Sequence, residues 1–194
     1  VANLLARNGV AHDGEVATRC GLASIPACAE TIALATMLSM ARETGAKLHI
    51  CRLSSAAGVE MIRAAKQQGL AVTCDVSMHH VHLSEMDIGF FDPNCHLIPP
   101  LRSLRDRAAL RAGLVDGTID AICSDHSPVD EDVKQLPFAE AEPGATGLEL
   151  LLPLGAAEVA VGMARSRIDQ RTLAIHLLHA GLEHALVLAL VFGI

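Results

Sequence analysis

The chain has no tryptophan, no tyrosine and only four phenylalanines in 194 residues. Those are the side chains on which nucleic-acid bases usually stack, so a base-reading surface is not expected. Nor does any basic patch stand out. Fifteen Lys and Arg are set against 22 Asp and Glu, a net charge of −7, which argues against nucleic acid as a partner. No stretch of 18 apolar residues runs without a charge or a histidine, so no membrane span is expected. The apolar end, 185–194, is too short to cross a bilayer. The first residues lack the charged-then-apolar pattern of a signal peptide. They begin with Val rather than Met, which leaves room for residues upstream. The six cysteines contain no C-x-x-C pair. Three of them, Cys51, Cys74 and Cys123, sit in apolar strand-like runs where Cys acts as a small hydrophobe. A reducing cytoplasm without a disulfide scaffold is the expectation.

What is present is material for a core: 51% of residues are hydrophobic and the mean hydropathy is +0.37. Residues 1–28 are mixed, with His12-Asp13-Gly14-Glu15 as a loop or helix start. Apolar side chains at Ile32, Leu34, Met37, Leu38, Met40 and Ala41 repeat at helical spacing over 30–43, and Gly45 supplies a stop. A strand is expected over 47–53, then a helix over 56–68 capped by Ser54-Ser55 and closed by Gly69. A second strand over 70–76 leads into a long loop, 77–102. A helix over 103–115, a strand over 119–123, a loop to about 147 and helical segments to about 164 complete the order. Alternating strands and helices predict an α/β fold with a parallel sheet and right-handed crossovers. A (β/α)₈ barrel needs eight strands and about 250 residues, so three strands predict part of a barrel or a small open sheet.

The strand at 119–123 ends in Ser124-Asp125-His126-Ser127-Pro128. An acid and an imidazole just beyond the C-terminal end of a buried strand stand where α/β folds keep their chemistry. Asp125 could equally cap a turn there, with His126 a loop residue.

Several motifs then follow one another in a familiar order. They are Leu48-His-Ile-Cys-Arg-Leu-Ser-Ser-Ala-Ala-Gly58, Ile62-Arg-Ala-Ala-Lys66, Val72-Thr-Cys-Asp-Val-Ser-Met-His-His80, Pro99-Pro-Leu-Arg-Ser103, Asp116-Gly-Thr-Ile-Asp120, Ser124-Asp-His-Ser-Pro128 and Pro143-Gly-Ala-Thr-Gly-Leu-Glu149. Over roughly residues 10–160 the chain resembles dihydroorotase of the amidohydrolase superfamily. The resemblance implies the C-terminal part of a metal-dependent TIM (β/α)₈ barrel. It also implies one or two zinc ions held by histidines and a carboxylate at strand ends, and hydrolysis of the cyclic amide of dihydroorotate in pyrimidine synthesis. Zinc would lower the pKa of its water, and a nearby carboxylate would handle the proton. By this resemblance Asp125 is the metal ligand and proton shuttle, and Pro143 and Gly144 lie where loop backbone meets substrate.

Departures from the family pattern are specific. A metal-binding His of the family is Arg52 here, and a guanidinium cannot shed its proton to ligate zinc. The substrate-binding Asn ahead of Pro99 is Ile98, and the His that meets the substrate carboxylate is Val129. The family's first-strand His-x-His pair, its mid-barrel carboxylate or carboxylated Lys and the following His would lie upstream of Val1. These departures resemble the dihydroorotase-like proteins that have lost ligands and serve as partners of aspartate transcarbamoylase. The resemblance implies such a scaffold, or a homo-oligomer, and no zinc-dependent turnover by this chain. Arg52→His is expected to help metal binding only if the remaining ligands are supplied.

The chain reads as one partial barrel domain over 1–194, with a poorly matched apolar tail at 165–194. Other polar positions have two readings each. His79, His80 and His82 suit a loop or pocket role better than joint metal ligation, since neighbours on a strand face opposite ways. His176, His179 and His184 suit a packed or solvated helix face. Asp75 is a pocket carboxylate or a loop anchor. Arg102 is expected to pair with an acid rather than to face an anionic substrate. Asp130, Glu131, Asp132, Glu140 and Glu142 are expected to form a solvated acidic loop.

Overall fold

The computed structural model describes residues 5–151. The apolar tail and His176, His179 and His184 therefore lie outside the described residues. In chain order the elements are β1 (Ala11–His12), α1 (Glu15–Cys20), β2 (Ser24–Ile25), α2 (Cys28–Thr44), β3 (Leu48–Ile50), α3 (Ala56–Gln67), β4 (Val72–Ser77), α4 (Met78–His82), α5 (Leu104–Val115), β5 (Ala121–Cys123) and α6 (Glu131–Lys134). Every strand pair among the described residues is parallel. The sheet order is β3-β4-β5, with β1-β2 as a separate pair. No helix among the described residues is long and apolar enough to cross a membrane.

Local chemistry explains most boundaries. Ser55 accepts the Gly58 amide and starts α3. Ser103 and Asp106 form a reciprocal capping box at the start of α5, which satisfies two amides that the first turn would leave orphaned. Gly45 ends α2 in the left-handed conformation, which costs glycine nothing. Glu30, near the start of α2, accepts from the amides and hydroxyls of both Ser54 and Ser55. It thereby ties α2 to the turn after β3.

The three-stranded sheet has two unlike faces. On one, Cys74, Val76 and Ile122 pack with Val59 and Ile62 of α3 and Leu110 and Leu114 of α5 in one buried cluster. Gly113 allows this approach: a Cβ there would lie 3.1 Å from both Ile119 and Val59. Pairing of Asp75 with Ala121 and of Ser77 with Cys123 turns those residues to the other face. There His49, Cys51 and Thr73 are exposed.

Three expectations need correction. Residues 77–102 are not an irregular loop: they contain α4 and two short 3₁₀ turns, Glu85–Ile88 and Pro93–Cys95. Pieces of three to five residues are too short to show a helical period. The pair β1 and β2 was also hidden, because two-residue strands show no alternation. Finally, Cys51 lies beyond the end of β3 and is exposed, whereas Cys74 and Cys123 are buried as expected. All six cysteines are free thiols.

Candidate functional site

The C-terminal ends of β3, β4 and β5 bring together Arg52, Asp75 and Asp125. Arg52 and Asp125 each follow their strand by two residues and each has a positive φ, 56° and 47°. Such backbone costs a non-glycine residue of order 1–2 kcal/mol and tends to cluster at functional sites. The carboxylate of Asp75, buried on β4, organises the neighbourhood. Its Oδ1 accepts the Arg52 amide at 2.7 Å and the Cys123 thiol at 3.4 Å, while Oδ2 meets His49 Nε2 at 2.9 Å. Asp75 is thus a structural anchor, but an anchor with a histidine on it.

The guanidinium of Arg52 reaches across the strand ends. Its Nη1 donates to Asp125 Oδ1 at 3.2 Å and to the carbonyl of Ile98 at 3.0 Å. The two side chains are 45% and 15% exposed, so the pair is worth at most about 1 kcal/mol. Its meaning is positional: a fixed cation sits against the carboxylate that the resemblance makes a zinc ligand. Among the described residues, Asp125 belongs to no group of three His, Cys, Asp or Glu side chains able to share an ion; the one such group is His49, Cys51 and Asp75. A guanidinium thus occupies one side of the Asp125 carboxylate, and no catalytic step is derived through a metal there.

The remaining predicted residues serve the frame around this point. His126 Nδ1 accepts the amides of Gly147 and Leu148. It caps the turn that enters the helical residues 148–151. Gly144 sits at φ 143°, its amide bonded to the His96 carbonyl, and a Cβ there would lie 2.6 Å from the Ser127 carbonyl. Pro143 beside it is half-buried, Ile98 is exposed and Val129 half-buried. His79 and His80 lie on α4 and are buried, so the strand argument does not apply to them, although their role is local. His80 Nε2 bonds the carbonyls of Pro99 and Pro100 at 3.1 and 3.2 Å, and burial pulls its pKa down to about 4. His79 lies beside Asp125; burial lowers its pKa, and the Asp125 charge works against that.

Arg102 neither faces solvent nor bonds a carboxylate directly. It is buried and donates to Ser54 Oγ, to the Ile25 carbonyl and to His12 Nδ1. Desolvation lowers its pKa, and the nearby charges of Glu30 and Asp106 oppose that. The acidic residues at 130–132, 140 and 142 are exposed, as expected. A hollow lined by Lys47, Leu48, His49, Leu70 and Val72 opens at the opposite ends of the strands, away from the ends where barrel folds do chemistry.

One grouping escaped the sequence reading: His49, Cys51 and Asp75, whose ligand atoms lie within 4.8 Å of one another. Two signals could have found it. His49-x-Cys51 puts both residues on one side of an extended chain, and the parallel register sets Asp75 one step past the last pair, Ile50 with Cys74. Burial and the Asp75 carboxylate push the Cys51 thiol pKa up.

No protein-family model matches the chain. Curated proteins do. A dihydroorotase-like protein of Pseudomonas aeruginosa is 42% identical over 175 residues, covering 90% of this chain and 40% of that protein. A dihydroorotase of a Geobacillus species is 45% identical over 152 residues, covering 78% of this chain and 36% of that protein. The chain thus spans well under half the length of these relatives. Among solved structures, L-hydantoinase (dihydropyrimidinase) of Arthrobacter aurescens matches at TM-score 0.66 and 30% identity, covering 78% of this chain and 34% of that one. A D-hydantoinase from a Thermus species matches at TM-score 0.61 and 23% identity over 80% of this chain and 34% of its own, a likeness of fold. The parallel strands, their crossovers and the extended sequence identity agree: the chain belongs to the dihydroorotase-like family of the amidohydrolase superfamily and carries the C-terminal part of its barrel.

Proposed function

We propose that this chain is part of a dihydroorotase-like protein of pyrimidine synthesis that does not itself turn over dihydroorotate. The carrying observation is the Arg52–Asp125 ion pair. In the family reaction Asp125 would hold zinc and move a proton. Here its Oδ1 accepts from a guanidinium that cannot give up its charge. A divalent cation brought to the same oxygen would face that charge a few ångströms away. The loss of hydrogen-bonding side chains at Ile98 and Val129, where the family holds substrate, supports the same reading. Pro143 and Gly144 are assigned a supporting role, setting the loop against the Asp125 side of the strand ends.

The work left for such a protein is assembly, and the family resemblance names aspartate transcarbamoylase as the partner, in the cytoplasm. The test has two arms. Purified chain supplied with zinc is assayed for hydrolysis of dihydroorotate at one equivalent of substrate; the reading expects no product above the blank. It is then mixed with aspartate transcarbamoylase and sized by chromatography, where co-elution is expected. Turnover that Asp125→Asn abolishes would overturn the first arm, and separate elution would overturn the second.

A further inference from the structure

We infer that His49, Cys51 and Asp75 form a zinc-class metal site of their own, separate from the strand-end position of Asp125. The three supply one nitrogen, one sulfur and one oxygen within 4.8 Å of one another. Nitrogen and sulfur ligands beside a carboxylate are the donor set that zinc prefers, and hard cations such as magnesium do not. The backbone brings them together without a loop rearrangement. His49 lies in β3 and Cys51 one residue past its end, so both project from the same side. Asp75 lies alongside on β4.

The surroundings hold two of the donors in place. His49 Nδ1 bonds Thr73 Oγ1 at 2.7 Å, which turns Nε2 toward Asp75. A partner on the second ring nitrogen is what metal-bound histidines ordinarily have. Asp75 Oδ1 is taken by the Arg52 amide and the Cys123 thiol, which leaves Oδ2 to the shared point. With three protein ligands a fourth position is left to water. Binding would convert the Cys51 thiol to thiolate and release its proton to solvent. The same Arg52 that closes the Asp125 position thus supports this one through its backbone.

The test uses the whole chain, freed of metal and titrated with Zn²⁺ or Co²⁺. About one ion per chain is expected, with the near-ultraviolet absorption of a cobalt–thiolate bond. Cys51→Ser and His49→Gln should each abolish it, whereas Asp125→Asn should leave it intact. Thr73→Val should weaken binding by roughly tenfold or more, as loss of a supporting hydrogen bond to a ligand does. Zinc should also slow iodoacetamide labelling of Cys51, mapped by mass spectrometry, by about tenfold or more, since the thiolate is then held by metal. Cys28, likewise exposed, is the internal control and should not change. Zinc bound as tightly by Cys51→Ser, zinc lost in Asp125→Asn, or no protection of Cys51 would each overturn the inference. These outcomes do not depend on hydrolysis, so they are separable from the proposed function.

Discussion

The two faces of the β3-β4-β5 sheet follow different rules. The helix-packed face is closed by aliphatic side chains: Val59, Ile62, Cys74 and Val76 are all 0% exposed. Its stabilisation scales with apolar area removed from water. The other face carries His49, Cys51, Thr73 and Asp75, of which only Asp75 is buried, and its contacts are hydrogen bonds of particular geometry. The lesson is a division of labour: one face holds the fold, while the other and the strand ends carry the groups with chemistry.

The comparison breaks if substitutions on the two faces cost the same. The largest effect is expected for Ile62→Ala on the helix-packed face. A fully buried isoleucine cut back to alanine should lose about 2–5 kcal/mol in urea unfolding, the transfer loss plus an unfilled cavity. Acid should act next most strongly, through His80. Its Nε2 donates to the Pro99 and Pro100 carbonyls, and its Nδ1 has no partner. A second proton would therefore be buried unpaired. Burial holds the folded pKa at about 4, well below the ordinary histidine value of about 6.5. Stability should be full above about pH 6.5 and fall as pH drops toward 4, where the unfolded chain takes up the proton first. The loss over that window is on the order of 3 kcal/mol. His80→Gln should flatten this part of a pH series of unfolding curves, though His79, whose pKa is also lowered by burial, keeps some slope.

Two smaller effects sharpen the contrast. Asp75→Ala strips the acceptor from the Arg52 amide and from His49, and about 1–3 kcal/mol is expected for the groups left unsatisfied. Cys51→Ser, on the exposed face, should stay within about 0.5 kcal/mol in the absence of metal. Added zinc should stabilise the native chain but not Cys51→Ser, read as a shift in the unfolding midpoint.

How much of this was readable in the sequence follows the same division. Apolar periodicity and the Gly45 stop gave α2, and the capping serines ahead of residue 56 with Gly69 gave α3, each within a residue or two. The run 119–123 gave β5 because a strand buried against helices reads as continuous apolar residues. Positions 52, 98 and 129 stood out because the surrounding motifs were intact. The His49, Cys51 and Asp75 group did not stand out, because it depends on the register between two strands and on where β3 ends. Cys51 was read as a small core residue for that reason. Asp75 and Arg102 were left between two readings because a residue's partners come from distant segments: Asp75 meets residues of β3 and β5, and Arg102 meets β2 and the turn before α3. The 77–102 segment hid its short helices because their lengths fall below one clear period.

The most direct measurement is anomalous diffraction at the zinc edge from crystals of the chain soaked in zinc. The account predicts a peak between His49 Nε2, Cys51 Sγ and Asp75 Oδ2, with Arg52 still bonded to Asp125 and no peak beside it. A peak at Asp125 with Arg52 swung away would contradict the central claim, because the family's metal position would then still be able to hold its ion.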